Sequence, residues 1–267
     1  GEWISPTQPF PTKPAPFDVH GISVDTLIDL TPELRDEAME IAAPYVLGEI
    51  FTPPSIRGDG DGDRKGTLQL PGSVGGAEWG GAGFDPETGM LYVPSVTGTF
   101  AADLTPGNPD RMNGRYTRGT GAFPLGPQGL PLLKPPYGRI TAIDMNQGEH
   151  VWVAANGDGP RDHPLIAHLD LPPLGVTGRG APLLTRTLLF IGEGGDPVLG
   201  TGRDGWGTAF MAYDKATGDV LWSTDLEAGT TSAPMTYLHE GRQYIVVAIG
   251  GGGHQAEWVA LALRERR

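Results

Sequence analysis

Cysteine is absent from the 267 residues. That excludes disulfides, thiolate metal sites and cysteine nucleophiles, and it leaves the compartment open. No apolar run approaches the length of a membrane span. No stretch is rich in lysine or arginine, and the formal net charge is −13. A nucleic-acid partner is therefore not expected. The first residue is Gly1, with no Met and no signal-like segment, which reads as a processed or truncated end. Familiar catalytic spacings are missing too. His163 and His168 do not stand at metalloprotease spacing, and neither a GxSxG elbow nor a Walker loop occurs.

What is plentiful is glycine and proline, 42 and 26 residues, about a quarter of the chain. They do not form low-complexity tracts. They punctuate short apolar runs such as Tyr244–Ile249, the pattern of an all-β protein with many turns. Residues 1–17 hold Pro6, Pro9, Pro11, Pro14 and Pro16 and read as an extended arm. A short helix follows, with Thr31 as cap and Pro32 at the first position, and with Glu33 near the positive end of the dipole. Leu34, Ala38, Ile41 and Tyr45 make its apolar stripe, and Gly48 is its expected stop. Residues 52–72 read as loop. The domain reading is thus arm, helix and loop over 1–74, and sheet units over 75–267.

Those units repeat. Ile140–Trp152 reads ITAIDMNQGEHVW and Ala212–Trp222 reads AYDKATGDVLW. Aligning them pairs Ala142 with Ala212, Asp144 with Asp214, Gly148 with Gly218 and Trp152 with Trp222, each 70 residues apart. A third copy of the turn runs from Asp85 to Gly89. The Asp bonds backbone N–H groups ahead of it, and the Gly supplies positive φ. The Trp fills space between stacked sheets. A sheet unit that cannot bury both faces alone implies stacked neighbours, as in a propeller. Strands are expected at 80–85, 90–95, 138–144 and 150–154, with 97–137 inserted. A second blade covers 181–185, 188–192, 209–214 and 220–224. A third, incomplete blade covers 233–238, 244–249 and 257–263. This is about two and three-quarter blades, too short an arc to close, so further blades or an oligomer partner are expected.

The Asp-x-x-Thr-Gly-x-x-x-Trp unit resembles the tryptophan-docking motif of quinoprotein propellers, which non-catalytic scaffold propellers share. Gly75-Gly-Ala-Glu-Trp-Gly-Gly81, followed by Phe-Asp-Pro-Glu-Thr-Gly89, resembles a signature of dehydrogenases dependent on pyrroloquinoline quinone (PQQ). Ser5–Pro14, Lys134–Asp144 and Ala228–Val247 are similar to the membrane-bound glucose dehydrogenase branch. The resemblance implies the C-terminal part of an eight-bladed periplasmic enzyme that oxidises a sugar or alcohol. In such enzymes hydride passes to PQQ, with Ca²⁺ or Mg²⁺ as the Lewis acid. It also implies that the catalytic Asp and the metal ligands lie in blades upstream of this chain, so that this chain alone is inactive. The alternative is a non-catalytic propeller scaffold.

By the same resemblance, Glu78 and Trp79 stand where relatives meet the PQQ edge, although Glu78 replaces the usual Asn or Asp. Read as plain residues, they include an inter-blade packing Trp. Asp204 stands near an acid that influences cofactor binding, but Gly202-Arg-Asp-Gly205 is equally an ordinary turn. His254, after Gly250–Gly253, resembles a loop histidine that tunes sugar specificity, displaced by about one position, or is simply an exposed loop residue. Trp152 and Trp222 are structural, and Asp144 and Asp214 are turn residues. Asp59-Gly-Asp-Gly-Asp63 lacks the Gly and Glu that an EF-hand requires, since Arg64 and Leu70 occupy those places. It reads as an acidic loop.

Overall fold

A computed structural model of the chain describes Thr7 and residues 9–60, 62–73, 75–77, 79–195, 207–251 and 253–263. In chain order the elements are α1 (Pro32–Ala42), β1 (Tyr45–Val46), β2 (Ser55–Ile56), β3 (Gly66–Gln69), β4 (Gly83–Asp85), β5 (Met90–Val96), β6 (Phe100–Pro106), β7 (Tyr116–Arg118), β8 (Gly138–Asp144), β9 (Glu149–Ala155), β10 (Leu183–Leu184), β11 (Leu188–Gly192), β12 (Ala209–Asp214), β13 (Val220–Asp225), β14 (Met235–His239), β15 (Arg242–Gly251) and β16 (His254–Ala262). No helix among the described residues is long and apolar enough to cross a membrane.

The helix starts as its sequence dictates. The Thr31 hydroxyl accepts from the Leu34 N–H at 3.3 Å, and Pro32 occupies the first turn. Leu34, Ala38 and Ala42 face the core. Its end is earlier than the apolar stripe predicts. Pro44 has no N–H to continue the ladder, so the helix stops at Ala42 and Tyr45 joins a strand. Gly48 therefore ends nothing helical. The segment expected to be loop also holds β2 and β3, and the insertion at 97–137 holds β6 and β7. With β1 they make one five-stranded sheet, in the order β1-β3-β6-β2 with β7 also paired to β6. Their apolar runs are too short to announce strands. What orders them is the core they share with the arm and helix, built on Leu27, Ile28, Leu34, Leu68, Leu133, Tyr137 and Ile166.

The repeated units form three successive antiparallel meanders, β4-β5-β8-β9, β10-β11-β12-β13 and β14-β15-β16. These are two four-stranded blades and one three-stranded blade of an open β-propeller arc, as the strand count from sequence expects. The repeat extends to a register shift. In blade one Ala142 faces Trp152 and Ile143 faces His150. In blade two Ala212 faces Trp222 and Tyr213 faces Val220. Each pairing thus carries one bulged residue, Val151 or Leu221, three positions after the turn Gly.

The turns form as their residues require. The Asp144 carboxylate accepts from the Asn146 N–H at 2.8 Å, and that of Asp214 from the Ala216 N–H at 2.7 Å. Gly148 and Gly218 close the turns at φ +68° and +79°. Between blades one and two lies a core of Tyr92, Ile140, Leu189, Ile191, Met211 and Tyr213, with Trp152 packed against it. Between blades two and three, Phe210, Ala228, Val247 and Ile249 are buried.

Candidate cofactor-facing site

The Gly75–Ala77 segment runs beside the end of β5. The Val96 N–H donates to the Gly76 carbonyl at 2.8 Å, and Ala77 bridges Ser95. Blade two begins on the other side, through Gly178 and Arg179. Between them lies a cavity of about 90 Å³, open to solvent, with Trp79, Pro94, Ser95, Val96, Arg139 and Asn156 also in its wall. Trp79 is 96% exposed, so its ring stands at this wall rather than in a core. Close backbone approach explains the glycines. A Cβ on Gly138 would lie 1.9 Å from the Val176 carbonyl oxygen, and one on Gly76 would lie 2.5 Å from Asp18 Oδ2.

Polar groups converge beneath the cavity. Asp18, in the N-terminal arm, lies 3.2 Å from Arg139 Nη2, and both side chains are buried. Arg139 also donates to the Pro136 carbonyl at 3.0 Å and to the Thr97 hydroxyl. The pairing is incomplete. Asp18 Oδ2, Arg139 Nε and the Ser95 hydroxyl are buried without a hydrogen-bond partner. Burial pushes the Asp18 carboxyl above its ordinary value, against the pull of Arg139, the Val19 N–H and Thr97. Burial lowers Arg139, against the pull of Asp18. Asn156 is fully committed in direction. Its amide donates to the Gly192 carbonyl and its oxygen accepts from Tyr213.

Of the residues singled out from sequence, Trp79 lines this cavity. Glu78 and Asp204 lie outside the described residues. His254 does not line it. It opens β16, where its Nε2 meets Glu257 Oε1 at 2.6 Å. Glu227, from the link into blade three, joins them, with ligand atoms of all three within 4.8 Å of one another. Sequence reasoning missed Ser95, Arg139 and Asp18. Arg139 was hidden inside a run read as strand, and no spacing tells that a residue of the arm reaches it.

A profile for the β-propeller domain of PQQ-linked glucose/ethanol/alcohol dehydrogenases matches residues 1–245. The chain belongs to this family. It is 30% identical over 274 residues to quinoprotein glucose dehydrogenase A of Acinetobacter calcoaceticus, covering 95% of this chain and 31% of that protein. It is 31% identical over 283 residues to the quinoprotein glucose dehydrogenase of Escherichia coli K12, covering 95% and 32%. The large subunit of a Gluconobacter thailandicus glycerol dehydrogenase is 29% identical over 281 residues, covering 94% and 35%. The chain thus spans about a third of the length of these relatives.

Membership makes the fit of PQQ worth testing against the wall itself. PQQ is a flat tricarboxylate. An exposed indole, two arginines and an unpartnered buried hydroxyl suit such a molecule on one side. The divalent metal fares differently, because no carboxylate lines the cavity among the described residues.

Proposed function

We propose that this chain supplies blades to a PQQ-dependent dehydrogenase of sugars or alcohols in the periplasm. Its cavity between blades one and two borders the quinone. The observation that carries this reading is Trp79, almost wholly exposed in the glycine-rich wall of a polar cavity. On this reading Trp79 offers its ring to the flat cofactor, and Glu78 and Asp204 are further cofactor-binding residues. His254 meets the substrate, steered by Glu257. Bound PQQ supplies the hydride acceptor. This chain's described residues orient it, exclude water from one side and balance its negative charge. The catalytic Asp and the Ca²⁺ or Mg²⁺ ligands belong to other blades.

Names among the relatives support an oxidoreductase of hydroxylated substrates, since they include both glucose and glycerol dehydrogenases. That range leaves the sugar-or-alcohol class as the commitment. The test is reconstitution with PQQ and divalent metal, followed by dye-linked oxidation of glucose and simple alcohols. Turnover is expected when the remaining blades are supplied, and none from the chain alone. A chain whose Trp fluorescence ignores PQQ under both conditions is a scaffold instead.

A further inference from the structure

We infer that a second cavity, beside β6 and β7, binds a small aromatic carboxylate, with Arg118 holding the acid and Phe123 meeting the ring. It shares no lining residue with the cofactor-facing cavity, and it does not rest on the quinone reading.

The cavity holds about 480 Å³, opens to solvent, and is lined by Ser73, Phe100, Arg118, Thr120, Gly121 and Phe123 among others. That volume lies within the range of pockets that take small molecules. One wall is aromatic. Phe123 meets Phe100 edge-on with ring centroids 5.1 Å apart, and it remains 38% exposed. Arg118 stands over the Phe100 ring, 5.8 Å from its centroid. Stacking engages the flat face of a guanidinium and leaves the N–H donors of its edge in the plane. Among the described residues no acceptor takes those donors, and no carboxylate lines the cavity. The acid nearest in the fold is already answered. Asp103 accepts from Arg57 Nε at 2.7 Å and from the Gly121 N–H at 2.9 Å. Arg57 and Asp103 cancel, so Arg118 is the charge left over at this cavity. It is positive, in a chain of net charge −13.

The wall is set before a ligand arrives. The Asp103 side chain is fully buried and pins the 119–121 loop. A Cβ on Gly119 would lie 1.9 Å from Asp103 Oδ2. One on Gly121, at φ +66°, would lie 2.3 Å from the tip of the Phe100 ring. The Thr120 hydroxyl accepts from Arg57 Nη2 at 3.4 Å, which leaves its own hydrogen for a ligand oxygen. A wall already ordered lowers the cost of binding. The chemistry then selects the ligand. A guanidinium edge takes a planar carboxylate through two parallel bonds. One negative charge matches one unanswered cation, whereas a phosphate dianion would leave a charge over. The aromatic wall favours a flat apolar body over a polyol.

The experiment is calorimetric titration of the full chain with 2-naphthoate, its neutral amide 2-naphthamide, and the saturated acid decahydro-2-naphthoate. It is run on the wild type, Arg118→Gln, Arg118→Lys and Phe123→Ala, with circular dichroism to confirm that each variant is folded. In the wild type 2-naphthoate is expected to bind about 10-fold more tightly than the amide, the low end for a charge-assisted hydrogen bond. Arg118→Gln abolishes that preference and leaves the amide affinity unchanged. Arg118→Lys restores part of it, since the charge returns without the fork. Phe123→Ala weakens acid and amide alike, several-fold, and narrows the margin of the aromatic over the saturated acid. A preference for the acid that survives Arg118→Gln puts the acid elsewhere and overturns the site. Equal binding of acid and amide by the wild type, or no binding of 2-naphthoate at millimolar concentration, overturns it as well. Tighter binding of the saturated acid overturns the aromatic assignment.

Discussion

The two blade junctions are built from the same motif but secured differently. At the first junction Trp152 docks on the turn of blade two. Its indole N–H donates to the Lys215 carbonyl at 3.0 Å, and the Tyr92 hydroxyl donates to the same oxygen at 3.1 Å. Lys215 answers with its side chain, donating to Asp85 Oδ2 at 2.6 Å and to the Thr185 and Arg186 carbonyls at 3.0 and 3.2 Å. One residue thus ties both blades through main chain and side chain. At the second junction Trp222 is 44% exposed and makes no such bond among the described residues. It meets Phe210 of its own blade edge-on at 6.4 Å. At the first junction the motif works because the turn of blade two receives the Trp of blade one.

The largest expected effect comes from breaking that tie. Lys215→Met strands the Asp85 carboxylate, which Lys215 holds below the ordinary carboxylate range, and unpairs two part-buried carbonyls. It should give the greatest loss of thermal midpoint of any single change at either junction, read by calorimetry. Next comes the Trp pair. Trp152→Ala should cost about 3–5 kcal/mol, the range for removing a core aromatic. Trp222→Ala should cost about 1 kcal/mol, since nearly half of the ring is already in water. Equal losses in urea denaturation would erase the contrast between the junctions.

Glycine sharpens the same contrast. Gly218 stands at φ +79°, and a Cβ there would lie 2.8 Å from the Trp152 ring. Gly148, its counterpart in blade one, is at φ +68°, but its Cβ would meet Lys13 of the arm at 3.2 Å and Pro14 at 3.6 Å. Both replacements by Ala incur about 1–2 kcal/mol of left-handed strain. Gly218→Ala should lose more in the same denaturation assay, because it also dislodges the docked ring. The arm itself occupies the receiving side of blade one. Lys13 pairs with Glu149, and His150 bonds the Ala15 carbonyl at 2.9 Å.

The repeat was legible because each of its residues has a local reason. Asp144 and Asp214 make turns, Gly148 and Gly218 take positive φ, and the Trp residues follow at fixed spacing. The eleven strands of the three blades fall where that period places them. The strands at Ser55–Ile56 and Gly66–Gln69 were not legible, since they exist through pairing with Phe100–Pro106, far along the chain. The candidate site divides in the same way. The glycine-rich segment with Trp79 reads from sequence. The buried pair of Asp18 and Arg139 joins residues 121 positions apart, and no pattern in either segment announces it.

The first junction also holds a group whose burial works against it, and this gives the smallest expected effect. Glu193, at the end of β11, is 9% exposed and wedged between Gly157 and Gly207, where an added Cβ would strike its carboxylate. Its oxygen accepts from the Ala209 N–H at 3.1 Å. Burial raises its pKa, and Asp158 and Asp225 add to the rise, while backbone N–H groups oppose it. A folded chain with this pKa raised holds a proton that the unfolded chain has released. Its contribution is therefore complete below the ordinary glutamate value and is lost as pH rises through the folded value. Glu193→Gln keeps an acceptor for Ala209 and carries no charge at any pH. The variant should match the wild type near pH 4 and gain a few degrees in thermal midpoint at pH 8, about 1 kcal/mol. A gain that is the same at both pH values would mean that Glu193 is already paired in the fold, and that the first junction carries no such internal cost.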